Sequence, residues 1–125
     1  MAFLIVFLGG GIGASLRHGV NLLVVRVLGT TSSFYATMIE NVTGSLVMGM
    51  LAAYFAFKGG ATQHWRLFLT TGMLGGYTTF SAFSLDSILL FERGQAGLAT
   101  AYVVGSVALS IGALFGGLVL VRYLT

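Results

Sequence analysis

The stretch GMLGGYTTFSAFS, residues 72–84, decides how this chain is read. It lies inside an apolar run, residues 65–91, that as one unbroken helix would be about 40 Å long, too long for about 30 Å of hydrocarbon without strong tilt. Gly72, Gly75 and Gly76 are poor helix formers, and Thr78 and Thr79 follow them. The helix is therefore expected to fail at GGYTT, near the middle of the crossing, leaving Trp65 to Leu74 and Phe80 to Phe91 as half-helices of about 15 Å each. A break at that depth frees carbonyls and amides that lipid cannot satisfy, so it must face protein, water or an ion. The carbonyls of Gly75 to Thr78 suit a hard monovalent cation. The competing reading of the same glycines is close helix packing through Gly72-x-x-x-Gly76.

Just beyond the break, Phe80 and Phe83 stand three residues apart and project from one helix face. An aromatic ring has a positive edge, so edges turned into a pore attract an anion without a full positive charge. Ser81 and Ser84 add hydroxyls between and beside them. Ordinary packing against lipid or core is the alternative for such a pair.

The rest of the chain fits a membrane setting. Of 125 residues, 57% are hydrophobic and 7% charged, too little polar surface for a soluble globule. With no cysteine there are no disulfides or thiolate metal sites, and His18 and His64 are the only histidines. The opening MAFLIVFLGGGIGASLR begins apolar and reaches its first charge at Arg17, which reads as a retained first helix. Four apolar segments, residues 3–25, 34–57, 65–91 and 97–121, make residues 1–125 one four-helix, all-α transmembrane unit, with polar breaks at RVLGTTSS, KGGATQHWR and ERGQAG.

Four crossings place Lys58, Arg66 and Arg122 on one side and Arg26 and Arg93 on the other, joined by Arg17 if it lies near its helix end. That balance gives almost no preferred orientation. A chain able to insert both ways is suited to an antiparallel two-fold dimer.

On the second segment, Thr37, Asn41, Gly44 and Met48 form one stripe at helical spacing, and on the fourth Tyr102, Ser106, Ser110 and Ala113 do the same. From the residues alone, Asn41 reads as interhelical hydrogen bonding. Gly9-x-x-x-Gly13 and Gly112-x-x-x-Gly116 read as packing faces. GGGIGASLRHG has no preceding strand and no ordered G-x-G-x-x-G, so no nucleotide site is expected. A net charge of +3 spread over both membrane sides makes no nucleic-acid patch, and no catalytic set is present, so no enzyme is expected.

GGYTTFSAFS resembles the G-G-x-T-T-F-S-T-F signature of the Fluc (CrcB) fluoride channels, departing from it at Ala82. The likeness extends to SLRH in the first segment, to ENVTGS in the second and to the serines of the last. It implies an antiparallel, dual-topology homodimer whose third helix is broken near the midplane, carrying two fluoride pores and a structural sodium ion held by backbone oxygens of Gly75 and Thr78 from both copies. The fluoride path would run past Asn41, Phe80, Phe83, Tyr102, Ser106 and Ser110, with Thr37, Thr79, Ser81 and Ser84 near it. Arg17 matches a basic residue that would favour anions, unless it only snorkels to the surface. The implied role is passive efflux of fluoride across a bacterial inner membrane, lowering its toxicity in the cytoplasm without ATP. Glu40 departs from the usual apolar residue; it would be protonated, paired with a basic group, or near water. Two other functions compete: a small proton-coupled exporter of cationic drugs using Glu40, and a non-transporting assembly subunit.

Overall fold

The structure, a computed structural model, describes residues 1–29, 33–58 and 63–124. Parts of the expected breaks RVLGTTSS and KGGATQHWR fall on residues 30–32 and 59–62, outside the described residues. All regular structure among the described residues is helical. Three helices are long and apolar enough to cross a membrane: α1 (Ala2–Leu28), α2 (Ser33–Lys58) and α6 (Ala96–Leu124). Between α2 and α6 the chain runs through α3 (Gln63–Arg66), a π-helical stretch (Leu67–Leu74), α4 (Gly75–Tyr77) and α5 (Phe80–Glu92).

Uninterrupted helix is what lipid demands of the long apolar segments, because every backbone group must then be satisfied within the segment. Among the described residues, two glycines with positive φ follow helix ends at which other residues would be strained: Gly29 after α1 (φ 99°) and Gly94 after α5 (φ 79°).

Packing is set by glycines at which backbones touch. α1 lies along the π-helical stretch and α4, and α2 lies along α6. A Cβ at Gly9 would stand 3.1 Å from the Cα of Gly72, and one at Gly13 would stand 2.9 Å from the amide of Tyr77. On the α2–α6 seam, a Cβ at Gly117 would fall 2.9 Å from the amide of Met50. Gly112 and Gly116, read from sequence as a packing face, meet nothing within 4 Å among the described residues of the chain. Gly117, one residue further on, faces α2 instead. Leu90, Ala99 and Tyr102 form the best-buried cluster, with Phe34, Met38 and Phe83 packed on it, which ties α5 and α6 to the start of α2.

The stretch after the π-helical turns differs in detail from the sequence reading. Gly75 keeps helical dihedrals (φ −61°, ψ −37°), and Gly76 lies within α4. The extended residues are Thr78 (φ −85°, ψ 157°) and Thr79 (φ −152°, ψ 122°). Gly76 serves contact rather than backbone freedom, since a Cβ there would come 3.0 Å from the Cα of Gly10. Sequence gave no sign of the π-helical stretch, whose wide turns rest against the small residues of α1.

The extended pair is held from both ends. The Thr79 amide donates to Asn41 Oδ1 at 2.8 Å, and Asn41 Nδ2 donates to the Thr79 carbonyl at 3.0 Å. One side-chain amide thus satisfies both backbone groups of a residue outside any helix. Before the pair, the Thr78 amide and hydroxyl both donate to the Leu74 carbonyl. After it, Thr79 Oγ1 caps α5 by accepting from the Ala82 amide at 3.1 Å. Arg17 Nε donates to the Gly76 carbonyl at 3.1 Å, tying α1 to the end of α4.

Two predictions follow from this packing. Asn41→Ala leaves the Thr79 amide and carbonyl unpaired and lowers unfolding stability by about 2–4 kcal/mol, with faster hydrogen exchange at Thr79 than at distant helical amides. Gly13→Ala drives a Cβ into the backbone of Met73 and costs about 3 kcal/mol or more, whereas Gly97→Ala, where a Cβ meets open space, is neutral or stabilising by up to about 1 kcal/mol. Thermal unfolding of purified variants in detergent measures both.

Candidate functional site

α2, α5, α6 and the extended pair line a groove of about 380 Å³. α2 contributes Asn41, Gly44 and Met48; the extended pair and α5 contribute Thr78, Thr79, Phe80 and Phe83; α6 contributes Ser106 and Ser110. Six of the residues singled out from sequence for an anion path therefore share one wall system: Asn41, Thr79, Phe80, Phe83, Ser106 and Ser110. No lining residue carries a charge.

The groove offers hydrogen-bond donors with capacity left over among the described residues. Ser106 Oγ and Ser110 Oγ are buried without a partner among the described residues. Asn41 spends one amide hydrogen on Thr79 and has a second. α5 begins at the groove, so its first amides and the positive end of its dipole lie there as well. Phe80 and Phe83 have ring centroids 5.6 Å apart at 54°, and Phe80 is 79% exposed. Small anions match such a set, since each donor is neutral and the two serine hydroxyls have no partner among the described residues.

Tyr102 does not line the groove. It is 2% exposed and stands behind Phe83, with ring centroids 5.3 Å apart. Its hydroxyl donates to Asp86 Oδ2 at 3.2 Å. Thr37 is likewise buried and does not line the groove. Asp86 was missed in the sequence reading; its one signal is its place three residues after Phe83 on the same helix face. Ser81 is exposed, with its hydroxyl 3.3 Å from that of Thr79, and Ser84 donates back to the Phe80 carbonyl at 2.9 Å. Arg17 and Gly75 do not line the groove.

Two backbone oxygens near the extended pair have lost their helical donors. The amide that would reach the Gly75 carbonyl, Thr79 N, bonds Asn41 instead. The amide that would reach the Thr78 carbonyl, Ala82 N, bonds Thr79 Oγ1. The Gly76 carbonyl between them is taken by Arg17. Gly75 and Thr78 thus present the free oxygens that a hard monovalent cation requires, so the donor set fits such an ion.

Glu40, next to Asn41, is 1% exposed, which places it away from water within the chain. Its Oε2 has no hydrogen-bond partner among the described residues.

Comparison with known proteins agrees with this geometry. Residues 4–118 match the family model described as CrcB-like protein, Camphor Resistance (CrcB). The chain is 62% identical, over the full length of both proteins, to a protein of Rhodopseudomonas palustris (strain BisB5) named fluoride-specific ion channel FluC. It is 58% identical over the full length of both to fluoride-specific ion channel FluC 2 of Nitrobacter hamburgensis. With a FluC protein of Granulibacter bethesdensis it shares 55% identity over 99% of this chain and 97% of that one. Matched along nearly its whole length, and carrying GGYTTFSAFS at the mouth of an uncharged, donor-lined groove, the chain belongs to the CrcB-like family.

Proposed function

We propose that the chain is a fluoride-specific channel and that the groove is one wall of its ion path. The observation that carries this reading is the pair of buried hydroxyls, Ser106 and Ser110, left without partners among the described residues in a groove that also holds two aromatic rings, a spare amide hydrogen and a helix N-terminus. Dehydrating fluoride is costly, and only close, strong donors compensate for it. A larger, more weakly bonding halide gains less from the same donors. The path holds no group that would bind ATP or a coupling substrate, so movement is passive, down the fluoride gradient. Fluoride that enters a cell as neutral hydrofluoric acid and ionises inside would leave by this route, lowering its toxicity in the cytoplasm of a bacterium that holds the protein in its inner membrane.

Residues from Gln63 to Glu92 act in this reading as one crossing, interrupted near the midplane at Thr78 and Thr79, giving four crossings in all. The exposure of Phe80 leaves the groove open on one side. A second copy inserted in the opposite sense supplies the missing wall, as the near-balanced charges at the two ends allow. In that dual-topology dimer the Gly75 and Thr78 carbonyls of both copies would hold a sodium ion. The ion supplies a charge on which four oxygen dipoles converge, fixing the two breaks to one another; the chain's own Asn41 and Thr79 Oγ1 keep those oxygens free. The drug-exporter reading needs Glu40 in contact with substrate, and Glu40 neither lines the groove nor reaches its surface.

Vesicles loaded with potassium fluoride and reconstituted with the purified chain should empty on addition of a potassium ionophore, which lets potassium leave with the fluoride, while potassium chloride-loaded vesicles should not. Phe80→Ile and Phe83→Ile should each slow fluoride efflux by roughly tenfold or more, about 1.4 kcal/mol at the barrier. Unchanged flux in both variants, or equal chloride flux, overturns the reading. Replacing sodium by a bulky organic cation throughout should abolish fluoride flux and lower the thermal stability of the dimer, with both restored on adding sodium back.

A further inference from the structure

Glu40 has no task in the path described above, yet it is a buried acid in an anion-conducting protein. A carboxyl oxygen buried without a donor is costly, and an ionised carboxylate in that situation far more so. Oε2 of Glu40 is in that position. A proton on the carboxyl removes its charge and turns it into a donor.

Charged and titratable groups from the surrounding helices converge on it. Arg17 of α1 and Asp86 of α5 act on Glu40 electrostatically, and Glu40 acts on Tyr102 of α6. The π-helical stretch, LFLTTGML, contains no titratable side chain, and the one in α4, Tyr77, has its hydroxyl 3.0 Å from that of Thr43. On α3, Arg66 reaches back to the Phe55 carbonyl and His64 is exposed. His18 and Arg26 of α1, Glu92 of α5 and Arg122 of α6 are also exposed.

Glu40 adjoins the groove through two neighbours. It precedes Asn41, which lines the groove, and it is coupled to Tyr102, which packs against Phe83. We propose that Glu40 is a proton-binding site that sets how readily an anion passes Phe83. With the proton bound, the carboxyl is neutral and the path keeps its uncharged character. With the proton released, a negative charge stands behind Asn41 and Tyr102 and opposes an anion in the groove. Fluoride passage is therefore faster as pH falls and slower as it rises. The inference rests on the fluoride-channel reading.

The test is fluoride current through planar bilayers containing the purified full chain, with equal pH on both sides and sodium held constant. Neutral hydrofluoric acid crossing the lipid carries no current and does not contribute. Between about pH 8 and pH 5, the wild-type current should rise by roughly tenfold, the size of a like-charge effect in a medium of effective dielectric about 20. Glu40→Gln, which fixes the neutral form, should conduct at the wild-type low-pH level throughout. A fluoride current that is flat with pH in the wild type, or equally pH-dependent in Glu40→Gln, overturns the proton site alone. No fluoride current from the wild type at any pH overturns the channel reading and the proton site together. Infrared difference spectra of the wild type provide a readout that does not depend on the variant folding. The chain has only three acidic side chains, so a buried carboxylic-acid carbonyl band titrating over the same pH range as the current is readily assigned. Absence of that band overturns the proposal.

Discussion

The two-way hydrogen bond between the Asn41 side chain and the backbone of Thr79 is the interaction on which the rest of this structure turns. A residue with extended dihedrals inside an apolar segment has an amide and a carbonyl that hydrocarbon cannot satisfy. Asparagine is suited to the task because one planar group donates and accepts at once. With Thr79 held in this way, helix must end before it and begin again after it. The carbonyls of Gly75 and Thr78 are then left free on one side, and the amides of Phe80 and Ser81 start a new helix on the other. A single side chain on α2 thus keeps apart a cluster of oxygen dipoles and a helix N-terminus, environments of opposite electrostatic sense only a few residues from one another.

α1 holds the same region from behind by different means. Gly9, Gly10 and Gly13 let its backbone lie directly on the backbone of Gly72 to Tyr77, and Arg17 extends past them to the Gly76 carbonyl. That guanidinium neutralises one of three neighbouring oxygens and leaves the other two. α6 contributes both support, along its seam with α2, and chemistry: its serines line the groove, and Tyr102 backs Phe83 while anchored to Asp86. The aromatic pair is therefore positioned by polar contacts one layer away from it.

Much of this was legible in the sequence, for identifiable reasons. Long apolar segments without proline dictate helices, and GGYTTFSAFS together with ENVTGS points to the family and to most of the residues that gather at the groove. What escaped notice depends on tertiary contact. Glycine has two uses, conformational freedom and close approach, and composition does not separate them; at Gly75 and Gly76 the backbone is helical, with Gly76 pressed against Gly10. The pairing of Tyr102 with Asp86 joins residues from two helices, and the burial of Glu40 depends on neighbours that only the folded chain supplies. On α6 the glycine that meets α2 is Gly117, one residue beyond Gly116, a matter of helix phase that a nearly uniform apolar surface does not reveal.

The π-helical stretch has a consequence for how this protein tolerates changes in length. Wide turns accommodate an additional residue without lengthening the segment much, and every residue beyond them is rotated relative to a regular helix. Each residue of an α-helix subtends about 100°. Losing one residue between Leu67 and Leu74 would let the segment tighten into ordinary helix at little cost in span, yet it would swing the following residues around the axis and carry Thr79 away from Asn41. Insertions and deletions in this short segment therefore act as changes of angle more than of reach.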